Sequence, residues 1–236
     1  MKVADAIAYI LKAEGVEYLF AYPVNSLIEA AAKIGIRPII VRQERIGLHM
    51  ADAFSRMHSG RKIGVFCMQH GPGTENAFGG VAQAYGESVP IVVIPGGYAR
   101  TQAHVQPNFS AFLNYRHVTK TCEEVMLAQA VPDAMRRAFA AVRSGRPRPA
   151  LVEIPNDMWN EEIPEPADYR PVQALRYGPD PVAVKQVAAV LLAAQRPVIY
   201  AGQGGLSASL FRISTMGDMH AADIDRLLEG FAALLL

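Results

Sequence analysis

Three polar segments of the sequence carry residue types suited to acid–base chemistry or ligand binding. Each follows a short apolar run: residues 22–25 (Tyr-Pro-Val-Asn), residues 42–45 (Arg-Gln-Glu-Arg) and residues 69–76 (Gln-His-Gly-Pro-Gly-Thr-Glu-Asn). If the apolar runs are strands of a parallel sheet, a ligand crevice lies beyond their carboxyl ends, where these segments meet. The sequence therefore predicts a site at this edge.

Glu44 is the candidate for acid–base chemistry. It lies between an apolar run and the start of a predicted helix, so its carboxylate could point into the crevice, partly shielded from water. A structural interpretation stays open, in which Glu44 complements the dipole at the helix N-terminus or pairs with Arg42 or Arg45 at the surface.

The Gly71-Pro72-Gly73 turn could bring the backbone close to a flat ligand, with Thr74 as a possible helix cap. It could equally be only a tight connection between a strand and a helix. No Lys-Ser or Lys-Thr pair follows it, so the sequence lacks the phosphate-binding loop of nucleotide hydrolases.

Several other site classes are disfavoured. Cys67 and Cys122 form no CxxC pair, which argues against a disulfide framework or a thiolate zinc site. The glycines at residues 202–205 lack the last glycine of GxGxxG and are weak evidence for a dinucleotide site. We predict no metal site in this chain, because four histidines lack the spacing of metal ligands: His49, His70, His104 and His117. His70, beside the Gly71-Pro72-Gly73 turn, could line the crevice, but a structural or solvent-facing role is favoured.

Composition indicates a globular chain. Of 236 residues, 51% are hydrophobic and 19% are charged, and 23 Lys and Arg against 22 Asp and Glu give a net charge of +1. This balance disfavours a partner such as nucleic acid or an acidic membrane, since phosphate contacts need a clear basic excess. With neither a signal-peptide pattern nor a long apolar span, we expect a cytoplasmic protein.

Short apolar runs alternate with helical periodicity along the chain, which predicts βαβ units. The expected fold class is α/β: a doubly wound, mostly parallel sheet with helices on both faces, then a linker and an incomplete second α/β unit. The predicted strands are residues 18–21, 39–41, 63–68, 91–94, 150–154 and 197–201. The predicted helices are residues 3–11, 27–34, 46–59, 130–142 and 182–193, and one that begins near Thr74; residues 96–114 are expected to form a loop.

Residues 1–160 resemble the N-terminal pyrimidine-binding domain of thiamine-diphosphate enzymes of the acetolactate synthase type. Four segments carry the resemblance: residues 42–44 are similar to the family's R-H-E, residues 71–76 to GPGxxN, residues 86–90 to D-S-x-P, and residues 150–157 to the closing strand and turn. After a Pro-rich linker at 161–181, residues 182–236 resemble part of the family's central domain.

The resemblance implies roles for individual residues. Glu44 would hydrogen-bond N1′ of the cofactor's aminopyrimidine as the catalytic acid–base group. Tyr22 and Pro23 match one loop that approaches the cofactor, and Pro72 and Asn76 match a second. The implied reaction is decarboxylation or carboligation of a 2-keto acid, with thiamine diphosphate as electron sink.

Departures from the family pattern limit this reading. Val24 and Asn25 replace glycines, and Gln43 replaces a histidine. Residues 106–115 do not reproduce the substrate-side FQE segment of the family. FAD is therefore possible as a cofactor but unsupported. Gly217-Asp218-Met219 lacks the GDG pattern that would bind diphosphate and Mg²⁺. We therefore expect a half-site, inactive alone, in a homodimer or a hetero-oligomer with a diphosphate-binding subunit; the alternative is an inert dimerisation or regulatory module.

Overall fold

The computed structural model describes residues 1–23, 25–103, 105–173 and 178–195. The chain divides into two compact units, with the boundary between residues 176 and 177. The predicted strand 197–201, the glycines at 202–205 and the segment 206–236 lie outside the described residues, as do Val24 and His104.

A six-stranded sheet, parallel in every pair, forms the centre of the first unit. The strand order is β2-β1-β3-β4-β6-β5, which confirms the predicted doubly wound sheet. The strands are β1 (Tyr18–Ala21), β2 (Arg37–Ile40), β3 (Gly64–Met68), β4 (Ile91–Gly97), β5 (Thr121–Glu124) and β6 (Ala150–Pro155).

The described helices number seven, six of them in the first unit. They are α1 (Val3–Ala13), α2 (Leu27–Lys33), α3 (Glu44–Met57), α4 (Pro72–Gly86), α5 (Ala111–Tyr115), α6 (Val131–Arg143) and, in the second unit, α7 (Pro181–Ala193). Short 3₁₀ turns occupy Arg100–Gln102 and Ala128–Ala130. Within the described residues, no helix has the length and apolar character needed to cross a membrane.

Hydrophobic side chains form two clusters, one on each face of the sheet. Helices α1, α2 and α6 pack on one face, and α3, α4 and α5 pack on the other. Successive residues of β3 alternate between the two faces: Val65 and Cys67 join the first cluster, and Phe66 and Met68 join the second. Because α3 and α4 follow β2 and β3 on the same face, both helices begin at the carboxyl edge of the sheet.

Three local predictions need correction. The segment expected to be a loop at 96–114 contains the end of β4 and all but the last residue of α5, and β5 was missed because Thr121–Glu124 is half-buried and polar. Thr74 is not the cap of α4, since the helix begins at Pro72 after Gly71. The Thr74 hydroxyl instead donates to the Gly71 carbonyl at 2.7 Å.

The start of the segment predicted as a linker lies against α1. The Met1 amino group donates to the Ile163 carbonyl at 2.7 Å, and the Tyr169 hydroxyl donates to the Glu14 carboxylate. Ile163 and Tyr169 are both buried in the first hydrophobic cluster. The domain boundaries at 160 and 181 stay a prediction.

Helix α3 contacts β3 through backbone at Gly64. A Cβ atom on Gly64 would lie 2.0 Å from the carbonyl oxygen of Ala51, whereas one on Gly79 of α4 would meet nothing within 4 Å. We predict that Gly64→Ala lowers the free energy of unfolding by about 3 kcal/mol or more, because backbone must move. Gly79→Ala should raise it by about 0.5–1 kcal/mol through helix propensity. Urea denaturation measures the free energy of unfolding of both variants. Equal changes in the two variants would contradict the backbone contact between Gly64 and Ala51.

Candidate active site

Glu44 begins α3 and is buried, with only 3% of the residue exposed. The preceding residue, Gln43, is extended (φ −151°, ψ 134°) and takes the N-cap position without a side-chain cap hydrogen bond. This conformation ends the connection from β2 and directs the chain into the helix. The first helical residue therefore lies at the carboxyl edge of the sheet.

Two residues of α4 contact or border the Glu44 carboxylate. Asn76 Nδ2 donates to Glu44 Oε2 at 3.3 Å. A Cβ atom on Gly73 would lie 3.4 Å from Glu44 Oε1 and 2.7 Å from the Gln69 side chain, so the backbone of the turn approaches the acid closely. The structure thus brings together Glu44, Gly73 and Asn76 from two separate predicted segments.

A surface ion pair does not account for Glu44. Arg42 and Arg45 are exposed whereas Glu44 is buried, and the ion pairs found among the described residues do not include it. Its position in the first turn of α3 does complement the helix dipole. Burying a carboxylate whose hydrogen-bond partner is an amide costs desolvation free energy. This cost argues against a purely structural role for Glu44.

Gly71 and Pro72 shape the turn before α4. Gly71 has a positive φ of 57°, and a Cβ there would lie 2.7 Å from the Tyr98 hydroxyl. Pro72 takes the first helical position, where a missing N–H is tolerated, and its side chain is exposed. The turn is therefore specified by both its glycine and its proline.

Tyr22 and Pro23 follow β1 at the same edge of the sheet. The Tyr22 N–H donates to the Cys67 carbonyl at 3.0 Å, and the ring is half-buried against the second cluster. Asn25 fixes this connection: its Oδ1 accepts from the Leu27 N–H and its Nδ2 donates to the Met68 carbonyl, both at 3.0 Å. Asn25 thus ties the loop to the end of β3.

Pro23 borders a cavity of about 670 Å³ near α1 and α2, whose lining includes His70 and Asn156 but not Glu44 or Asn76. His70 packs at this border: its Nδ1 accepts from Asn156 Nδ2 at 2.7 Å, and its ring meets Tyr98 edge-on at 4.6 Å. His70 therefore both lines the cavity and contacts two neighbouring side chains, and its role stays a prediction. Among the described residues, no group of three His, Cys, Asp or Glu side chains could hold a metal ion.

The sequence comparisons point to one family. A sequence model described as "Thiamine pyrophosphate enzyme, N-terminal TPP binding domain" matches residues 1–125. The chain belongs to the thiamine pyrophosphate enzyme family. This match covers the segments that contain Glu44, Gly73 and Asn76, and it confirms the resemblance seen in the sequence.

Curated relatives of this thiamine pyrophosphate enzyme chain include acetolactate synthases. The acetolactate synthase large subunit of Haemophilus influenzae is 33% identical over 218 residues, which cover 87% of this chain and 37% of that protein. Isozyme 3 of Escherichia coli K12 is 30% identical with the same coverage, and the glyoxylate carboligase of Escherichia coli O157:H7 is 32% identical over 88% and 36%. The chain thus spans little more than a third of these relatives.

The sequence did not predict two residues, Tyr98 and Tyr115, that contact the Gly71–Gly73 turn and Thr74 in this thiamine pyrophosphate enzyme domain. The hydroxyl of Tyr115, on α5, donates to the Thr74 carbonyl, and Tyr98 lies against Gly71. Tyr115 carried no signal, because a five-residue helix has too few turns to show apolar periodicity. Tyr98 directly follows the buried strand β4, and that position was the available signal.

Two buried carboxylates of α3 provide a matched test of what burial costs. Asp52 accepts two hydrogen bonds from Arg56, whereas Glu44 accepts one from Asn76. We predict that Asp52→Asn lowers the free energy of unfolding by about 1–3 kcal/mol, since it removes charge-assisted bonds. Glu44→Gln should not lower it by more than about 0.5 kcal/mol, because an amide still accepts from Asn76 and buries no charge.

Chemical denaturation of both variants at pH 8 makes the comparison. A larger loss for Glu44→Gln than for Asp52→Asn would show that Glu44 stabilises the fold as an ion.

Proposed function

We propose that this chain supplies the pyrimidine-binding half of a thiamine-diphosphate-dependent decarboxylase or carboligase that acts on 2-keto acids. The observation that carries the proposal is the buried Glu44 carboxylate at the carboxyl edge of the sheet, bordered by Gly73 and Asn76. Membership of the thiamine pyrophosphate enzyme family supports it, and so do relatives named acetolactate synthase and glyoxylate carboligase.

The residues present fit an aminopyrimidine ring. Asn76 engages one carboxylate oxygen of Glu44, and the other oxygen borders the space that a side chain on Gly73 would fill. The glycine lets the backbone approach the acid closely, and the ring is proposed to bind beside this backbone. Pro72, Tyr22 and Pro23 are proposed as further cofactor-binding residues on the two adjacent loops.

Glu44 is proposed to act at the ring nitrogen N1′. Its burial limits the access of water to a proton shared between the carboxylate and that nitrogen. Asn76 restricts the carboxylate to one orientation, which leaves the second oxygen for the ring. When bound, thiamine diphosphate supplies an electron sink for cleavage of the carbon–carbon bond of a 2-keto acid.

The diphosphate and Mg²⁺ are proposed to be held outside this chain's described residues. A homodimer, or a hetero-oligomer with a diphosphate-binding subunit, would bring that second half of the site against Glu44. This part of the proposal is supported by the sequence, in which Gly217-Asp218-Met219 lacks the GDG pattern. A cytoplasmic location is proposed with it.

The role of Glu44 is tested by Glu44→Gln in an assembly that includes a diphosphate-binding domain. We expect turnover to fall by about 10²–10⁴, the range of general acid–base catalysis, with the cofactor's Kd changed by less than about tenfold. Glu75→Gln is the matched control, because Glu75 is an exposed acid in the first turn of α4. Steady-state kinetics that show equal effects of the two variants would contradict the proposal.

The need for a second half is tested by calorimetric titration with thiamine diphosphate and Mg²⁺. We expect measurable binding when the chain is combined with a diphosphate-binding domain and little with the chain alone. This expectation follows from the proposal that the described residues bind only the pyrimidine ring of the cofactor. An absence of binding and of activity in every combination would favour the inert dimerisation or regulatory module.

A further inference from the structure

Glu153 is a buried carboxyl group that the proposed reaction does not use. It lies on β6 with 4% of the residue exposed. Leu151, two residues earlier, belongs to the cluster under α3, α4 and α5, so the Glu153 side chain faces the same side of the sheet. Gly97 on β4 makes room for it, since a Cβ there would lie 3.1 Å from Glu153 Oε1.

The Glu153 carboxyl group holds the start of α5. The Phe112 N–H donates to Glu153 Oε2 at 3.0 Å. The Leu113 N–H is taken by the Ser110 hydroxyl at 3.2 Å. Two N–H groups in the first turn of α5 are thus satisfied, that of Phe112 by β6 and that of Leu113 by the helix cap.

The other end of α5 holds the turn at Gly71–Gly73. The Tyr115 hydroxyl donates to the Thr74 carbonyl, and its ring meets Phe78 of α4 edge-on at 5.2 Å. Burial raises the pKa of Tyr115, so the hydroxyl stays protonated and remains a donor. Thr74 in turn donates to the Gly71 carbonyl. A continuous series of contacts therefore joins β6 to the residues beside Glu44.

We propose that Glu153 and Tyr115 are positioning residues, and that α5 is a brace that fixes the Gly71–Gly73 turn against the Glu44 carboxylate. The brace is the series Glu153, α5, Tyr115 and Thr74. Its consequence for a bound pyrimidine rests on the proposed function, but the brace itself is a property of this chain.

The burial of Glu153 makes the brace sensitive to pH. The titratable groups that interact with it are Glu124 and Cys122 on β5 and Tyr115 on α5, and Arg116, directly after α5, interacts with Cys122. Burial, with a smaller contribution from the Glu124 charge, raises the pKa of Glu153 to about 7. Protonation therefore favours the docked α5, because undocking would hydrate the carboxyl group and restore its ordinary pKa.

The sign of the pH effect follows from linkage. A carboxyl group whose pKa is raised in the docked state contributes most at low pH, and the contribution is lost as pH rises from about 4.5 to about 7. Above that range the effect levels off. Docking of α5 is thus expected to weaken across this window and to be constant at higher pH.

Amide hydrogen exchange in the full chain, without cofactor, tests the brace. For Tyr115→Phe we expect exchange about fivefold or more faster at Gly73 and Glu75, the loss of one hydrogen bond, with Phe112 little changed. Glu153→Ala should accelerate exchange at Phe112 and at both turn residues. Glu153→Gln should restore protection, because its amide oxygen still accepts from the backbone.

The pH profile separates a positioning role from a merely structural one. Wild-type protection of Phe112, corrected for the intrinsic exchange rate, should fall roughly tenfold or more between pH 5 and pH 7, whereas Glu153→Gln should show a flat profile. Glu123→Gln is the control, since Glu123 on the neighbouring strand pairs with Arg137 of α6. It should keep the wild-type profile.

Two results would overturn the brace. One is unchanged exchange at Gly73 and Glu75 in Tyr115→Phe, and the other is an identical pH profile for wild type and Glu153→Gln. If Glu153→Ala does not fold, these two measurements still test the brace, because neither uses that variant. None of them involves cofactor or turnover, so failure of the brace leaves the proposal for Glu44 standing, and failure of that proposal leaves the brace standing.

Discussion

The Glu44 carboxylate is buried next to an amide donor, and this burial constrains where the neighbouring helices begin and which residues can border the acid. Water would solvate this group far better than Asn76 does, so the buried position is maintained only because neighbouring backbone is fixed. Helix α3 must begin at Glu44, α4 must begin two residues before Thr74, and Gly73 must carry no side chain. An arrangement that favours a reactive group over stability is typical of a functional site.

Sheet topology explains how these requirements are met together. The order β2-β1-β3 places the strand before Glu44 and the strand before Gly71 on either side of β1, within one short stretch of sheet. Both following helices lie on the same face and begin at the same edge. Residues 32 positions apart in sequence, Glu44 and Asn76, therefore meet through a fold whose parallel pairing leaves little freedom.

Much of this arrangement could be predicted from the sequence, because most strands are apolar runs and most helices are long enough to show a periodic face. That pattern was sufficient to single out Glu44 at a strand-to-helix junction. The hydrogen bond from Asn76 was not predictable, since it depends on the relative position of two helix starts. Strand β5 was missed because its four residues are polar and half-buried, and α5 was missed because five residues show no period.

Glu153 differs, because its signal was present in the sequence. An acidic residue in the middle of an apolar strand, within Ala150–Pro155, must be buried on one face or the other of a central strand. It follows no strand end, however, and the expectation of a ligand crevice at the carboxyl edge favours residues such as Glu44. Glu153 also lies beyond residue 125, where the family match ends, yet its contacts lead back to the turn beside Glu44. The geometry of the candidate site therefore depends on a strand outside the matched region, and β6 belongs to its supporting structure as much as the helices that carry Glu44 and Asn76.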